Sequence, residues 1–265
     1  MAMSKNLKRM IDANAPLWAG EAEIIETYWT STVRSRETDM LWLRRQCWKE
    51  YGGIGDSKGK TKGMVGDLIP RLEDEVPRLD ISVDRHDLLD HLSKVCVEYN
   101  HYCLFADIHD SLLEGDETSI IAGDLAPWPE EEALASRRRT VNVSHGDLGH
   151  RATDFTEGGY CTMYSEGAKL QGRDGVDGQI GTACQKVYDD EFGHMVHGVV
   201  GVDDEGLSQA DWDQLLELTM EQLRLRIPMR NEQFSHPLSD QRVGEILNGD
   251  IDPIQFDFAK AETYL

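Results

Sequence analysis

The 265-residue chain sets 49 acidic against 27 basic side chains, a formal charge of -22. A field of that sign repels phosphate backbones and anionic lipid surfaces, so nucleic acid and membrane are poor partners. Its 40% hydrophobic and 29% charged residues are those of a folded globular protein rather than a disordered tail.

Pro16, read as a first-turn residue, is expected to open a long helix reaching about Trp48, with Ile24, Ile25, Tyr28, Trp29, Thr32, Val33, Met40 and Leu43 at helical spacing. Gly52, Gly53, Gly55, Gly59, Gly63 and Gly66, followed by Pro70 and Pro77, then read as one long connection over residues 52–84. A second helix is expected from about Asp84 to Leu113, ended by Gly115. After a loop from Gly123 to Pro129, the run Glu130, Glu131, Glu132 suits the positive end of a third helical segment, which continues with interruptions towards Leu170.

Gly172, Gly175, Gly178 and Gly181 mark the next turn, and Thr182 is placed to cap a fourth helix reaching about Val200. Ser208 with Asp211 starts a further amphipathic helix, and Ser239 to Leu247 a last short one closed by Gly249. Alternating β-branched residues are confined to pieces such as Thr140 to Val143, so the expected class is all-α. The expected organisation is a single domain, with a helical core over about residues 17–200 and a C-terminal helical extension over about 207–265.

No apolar run approaches the roughly 20 residues of a bilayer crossing. Met1 to Asp12 lacks an apolar signal core, so the expected compartment is the cytoplasm. The five cysteines, Cys47, Cys96, Cys103, Cys161 and Cys184, are odd in number, scattered, and without a C-x-x-C pair. They read as reduced, mostly buried thiols.

Two E-x-x-H motifs carry the chemistry: Glu98-Tyr99-Asn100-His101 on the second helix and Glu191-Phe192-Gly193-His194 on the fourth. Residues three apart share a helix face, so each motif can aim a carboxylate and an imidazole at one ion. About one such pair arises by chance in a chain with this Glu and His content. Context adds to the count, because charge on an apolar helix is costly without a partner or a metal. Glu98 sits among Val97, Leu104 and Phe105, and Glu191 near Val187 and Met195. Between the motifs Glu157 offers another carboxylate, with Gly158 and Gly159 permitting a close approach.

This order resembles that of the ferritin-like di-iron carboxylate superfamily: Glu, E-x-x-H, Glu, E-x-x-H. The resemblance implies a four-helix bundle, here with a long insertion after the first core helix and extra C-terminal helices. It implies metal ligation by Glu98, His101, Glu157, Glu191 and His194, the residues expected to carry catalysis. The first-helix glutamate is open between Glu26 and Glu37, which lie on nearly the same helical face. Antiparallel pairing with Glu50 level with Arg85 favours Glu37.

His197, one turn beyond His194, and His150, two turns before Glu157, are further ligand or supporting candidates. His86, His91, His109 and His236 read as hydrogen-bonded structural histidines. Tyr160 and Tyr164 read as aromatic core, and Arg137, Arg138 and Arg139 as a solvated face.

Four carboxylates and two imidazoles suit two iron ions, with Mn/Fe or Mn/Mn as overlapping options. The expected activity is that of an O2-dependent oxidase or oxygenase acting on a small organic substrate by hydroxylation, N-oxygenation, desaturation or oxidative cleavage. The expected partners are that substrate and an electron-donor protein, with room for a homodimer. A dimanganese catalase, an iron-storage protein and a metal-free helical interaction protein are the competing readings.

Overall fold

The computed structural model describes residues 3–54, 63–158 and 160–263, and its regular structure is helical, apart from one isolated bridge between Leu79 and Val83. In chain order the α-helices are α1 (Lys5–Thr30), α2 (Arg36–Ile54), α3 (Gly63–Glu75), α4 (Arg85–Ser111), α5 (Pro129–His145), α6 (Asp147–Gly158), α7 (Thr162–Ala168), α8 (Gly175–Val199), α9 (Gln209–Gln233), α10 (Asp240–Leu247) and α11 (Phe258–Ala261). They form two compact units, one of Arg36–Pro127 and one of Met1–Ser35 with Trp128–Leu265.

The expected first helix is two helices. Ser4 Oγ accepts from the Leu7 backbone N–H and starts α1 early, so Pro16 stands in mid-helix, where it withholds a donor from the Asp12 carbonyl. The chain then leaves the helix at Ser31, whose backbone is extended at φ -75 and ψ 150. The cause is local: Thr30, Thr32 and Val33 are β-branched, and Ser31 Oγ accepts from the Val33 backbone N–H in competition with helical bonding. Arg34 holds the exit, its guanidinium 5.1 Å from the Trp29 ring centre and bonded to Asp177 at 2.6 Å.

In the smaller unit α2 and α4 pack antiparallel. Arg36 Nε donates to the Leu112 carbonyl, Trp42 meets Phe105 edge-on at 6.2 Å, and Tyr51 meets Tyr102 at 5.4 Å. Trp42, Leu43, Cys47, Phe105 and Ile108 form its buried apolar face. Asp84 caps α4 by accepting from the His86 backbone N–H. The segment expected to be a plain connection contains α3, which packs against α2 and α4. Leu68 and Leu72 stand one turn apart in it, a helical spacing that the surrounding glycines obscure in the sequence.

The larger unit is organised around α9, which packs on α1, α5 and α6. Its pairs with α1, namely Arg9–Asp213, Asn14–Thr219 and Glu21–Arg226, advance together, so these two helices run parallel. Its pairs with α5, Trp128–Met229, Arg138–Gln222 and His145–Gln214, advance oppositely, so that pair is antiparallel. Thr140 to Val143 lies inside α5. Arg137, Arg138 and Arg139, expected on a solvated face, bond to Glu221, to Gln222 with Thr156, and to Glu132 respectively.

Glu21 is 1% exposed and lies between Arg226 and Arg230, at 2.9 and 2.7 Å. Burial pushes its carboxyl up, and the two guanidinium groups outweigh that and hold it below the ordinary carboxylate range. Nearby, Trp18 stacks on Phe155 and Tyr160 and touches Phe256.

The fourth expected helix begins at Gly175 rather than at Thr182, whose hydroxyl bonds back to the Gly178 carbonyl at 2.8 Å in the body of α8. The turn glycines divide by role. Gly172 and Gly175 take left-handed φ of 81 and 66, whereas Gly178 and Gly181 lie inside α8, against the backbone of Arg173 and Gln171. The Ser208–Asp211 capping box and the Ser239 cap form as expected.

Candidate metal centre

Glu98 and His101 stand one turn apart on α4, and Glu50 projects from the last turns of α2 on the face that packs against α4. His101 is fully buried, Glu50 is buried, and the Glu98 side chain is 19% exposed. His101 Nδ1 lies 3.9 Å from Glu50 Oε2 and 3.7 Å from Glu98 Oε2. These separations are too long for hydrogen bonds. They suit donors on one ion, since ligand bonds of about 2.1 Å put neighbouring donors about 3–4 Å apart. One donor atom from each residue falls within 4.8 Å of the others, so the three can hold a single cation.

The donor set favours a hard or intermediate ion. Burial, reinforced by the charge of Glu50, pushes the Cys47 thiol far above its ordinary value, and it stays protonated with Sγ 4.0 Å from the Tyr102 carbonyl. Burial also raises Cys103. Two carboxyl groups and an imidazole therefore remain as donors, a set that suits a divalent ion of hard or intermediate character. Tyr51 and Tyr99 both face the ring of Tyr102, whose phenol burial pushes up to about 12.

Glu50 was missed in the sequence, although the signal is there. Gln46 and Glu50 fall on the stripe that carries Trp42, Leu43 and Cys47, and polar residues on an apolar face call for an explanation. The preferred Glu37 is instead an exposed first-turn residue of α2, its side chain 75% exposed and 3.6 Å from Arg36. The reason is register: α4 extends at its start beyond the end of α2, so Glu50, not Glu37, comes level with Glu98. Glu26 is exposed on α1, in the other unit.

In the larger unit, α8 carries Glu191 and His194 as a pair, with His194 Nδ1 3.1 Å from Glu191 Oε2 and side-chain exposures of 53% for the histidine and 20% for the glutamate. Burial first, then the charge of Glu191, pushes the Cys161 thiol to about 12, so this thiol too is an unsuitable ligand. His197, in the last turn of α8, and His150, on α6, are exposed. Glu157 lies near the end of α6, and its side chain is outside the described residues, as is Gly159. His109 is buried with Nδ1 3.2 Å from Asp110 Oδ1, as suits a structural histidine, and Tyr160 packs in the aromatic core as expected.

No family model matches this chain, and neither the curated proteins nor the solved structures contain a match. Among the described residues no helix is long and apolar enough to cross a membrane.

Proposed function

We propose that the protein is a ferritin-like, non-haem iron enzyme that uses O2 to oxidise a small organic molecule, with Glu50, Glu98 and His101 as one ligand group and Glu191 with His194 as a second. The observation that carries the reading is the first group, in which a buried histidine and two glutamates from two helices offer donors within 4.8 Å of one another. Two E-x-x-H pairs per chain match two ions, and Glu157 stays in the proposal as a further carboxylate ligand.

Ferrous iron held by these residues would supply the electrons that O2 activation needs. The chain's own residues do the rest. His101, fully buried with Nδ1 facing both carboxyl groups, would supply the imidazole ligand. Glu50 and Glu98 balance the ionic charge. Burial of Glu50 and His101 within the α2–α4 pair limits their contact with bulk water. The proposed partners are the substrate and an electron-donor protein.

The competing account is a metal-free ion cluster in which His101 simply neutralises two glutamates. Oxygen uptake separates the two. Protein loaded anaerobically with ferrous iron and mixed with air is expected to consume O2 faster than free iron does, and a panel of small organic substrates is expected to accelerate it. Uptake equal to that of free iron across the panel would overturn the oxidase reading. Rapid O2 release from added peroxide would replace it with a catalase.

A further inference from the structure

Glu50 owes its orientation to a neighbour on its own helix. Gln46, one turn earlier on α2 and only 2% exposed, donates from Nε2 to Glu50 Oε1 at 2.5 Å. The amide presents its nitrogen, and the carboxyl oxygen accepts. The bond engages Oε1, and it is Oε2 that faces His101 Nδ1 at 3.9 Å.

We propose that Gln46 is the positioning residue that makes Glu50 a metal ligand: it fixes the carboxylate through Oε1 and thereby directs Oε2 at the ion held with Glu98 and His101. This rests on the metal-centre reading above.

Two chemical features of the side chain suit the role. An amide donor is uncharged, so it orients the carboxylate without cancelling the negative charge that attracts the cation. Glu21 shows the contrasting arrangement within the same protein, since Arg226 bonds both of its oxygens and Arg230 bonds Oε1 again, making a closed ion cluster. Spacing is the second feature. Residues four apart on a helix are neighbours, so this contact forms within α2 and is in place before any ion binds. Glu50 therefore gives up little side-chain entropy when it coordinates.

The test uses metal-free full-length protein titrated anaerobically with Co(II), read by calorimetry and by the visible absorption of the bound ion. Gln46→Leu and Gln46→Met each remove the donor at similar volume, and far-UV circular dichroism confirms the fold, the flexible methionine serving if leucine proves too disruptive. Each is expected to weaken Co(II) binding about 10- to 100-fold, the usual cost of losing a residue that orients a ligand. Each is also expected to change the Co(II) absorption spectrum, which a purely structural role would leave alone. In a Glu50→Gln background the same substitutions should have no further effect on affinity. Wild-type affinity and spectrum in both variants would overturn the positioning role while leaving the metal centre intact, as would an equal loss in the Glu50→Gln background. Failure of the wild-type protein to bind Co(II) would sink the metal centre and the positioning role together.

Discussion

Glu50 Oε2 and His101 Nδ1 lie 3.9 Å apart across α2 and α4, and the register that brings them together sets Glu37 at the far end of α2 beside Arg36. Glu50→Ala is therefore expected to reduce metal affinity by more than the roughly 10- to 100-fold typical of a supporting residue. Glu37→Ala should bind like wild type. Calorimetric titration of both variants with Co(II) checks this, and a larger loss in Glu37→Ala would show the α2–α4 register to be wrong.

The buried Glu21 should matter for stability rather than for metal content. Glu21→Ala leaves Arg226 and Arg230 without the carboxylate between them, and breaking a buried pair in this way costs about 3–5 kcal/mol. The pH dependence follows from the lowered pKa of Glu21. A carboxyl depressed in the folded state contributes its full stabilisation above the unfolded-state value, near 4.5, and loses it as pH falls through the still lower folded value. Urea midpoints from pH 7 down to pH 3 should show a fall below about pH 4.5 that is blunted in Glu21→Ala. Parallel curves for the two proteins would refute the linkage.

Gly181→Ala isolates a packing constraint. A Cβ there would collide with the Gln171 backbone nitrogen, which no rotamer change relieves. The substitution should destabilise by about 1–3 kcal/mol, enough to outweigh the gain of up to about 1 kcal/mol that alanine brings to a helix. An unchanged or raised urea midpoint would mean that α8 does not approach the preceding turn so closely.

Thiol accessibility supplies a fourth expectation. Cys96 is exposed, Cys47, Cys161 and Cys184 are buried, and burial holds Cys47 and Cys161 as protonated thiols. At pH 8 the native protein should label first at Cys96, with Cys47 and Cys161 reacting only after denaturation. Mass-spectrometric mapping of labelled peptides reads the order, and early modification of Cys47 would argue against a closed α2–α4 face.

Much of the helical plan is written locally and could be read locally. Asp84, Ser208 with Asp211, and Ser239 cap the helices they announce, because a cap depends on residues within one turn. The E-x-x-H pairs were legible for the same reason. What could not be read were the relations set by tertiary packing. The β-branched exit at Thr30–Val33 was hidden by a helical apolar pattern that continues into α2, and the glycines before α3 looked like a loop. Glu50 was lost for a related reason, since its place beside Glu98 and His101 depends on how far α4 extends past the end of α2, which no residue within one turn reports.

Iron content after anaerobic reconstitution tests the central claim most directly. Purified protein loaded with ferrous iron and desalted should retain about two equivalents per chain. His101→Ala and Glu50→Ala should each retain clearly less with their helix content unchanged. Retention of no iron by the wild-type protein, or of equal amounts by wild type and both variants, would contradict the assignment of Glu50, Glu98 and His101 as a metal centre.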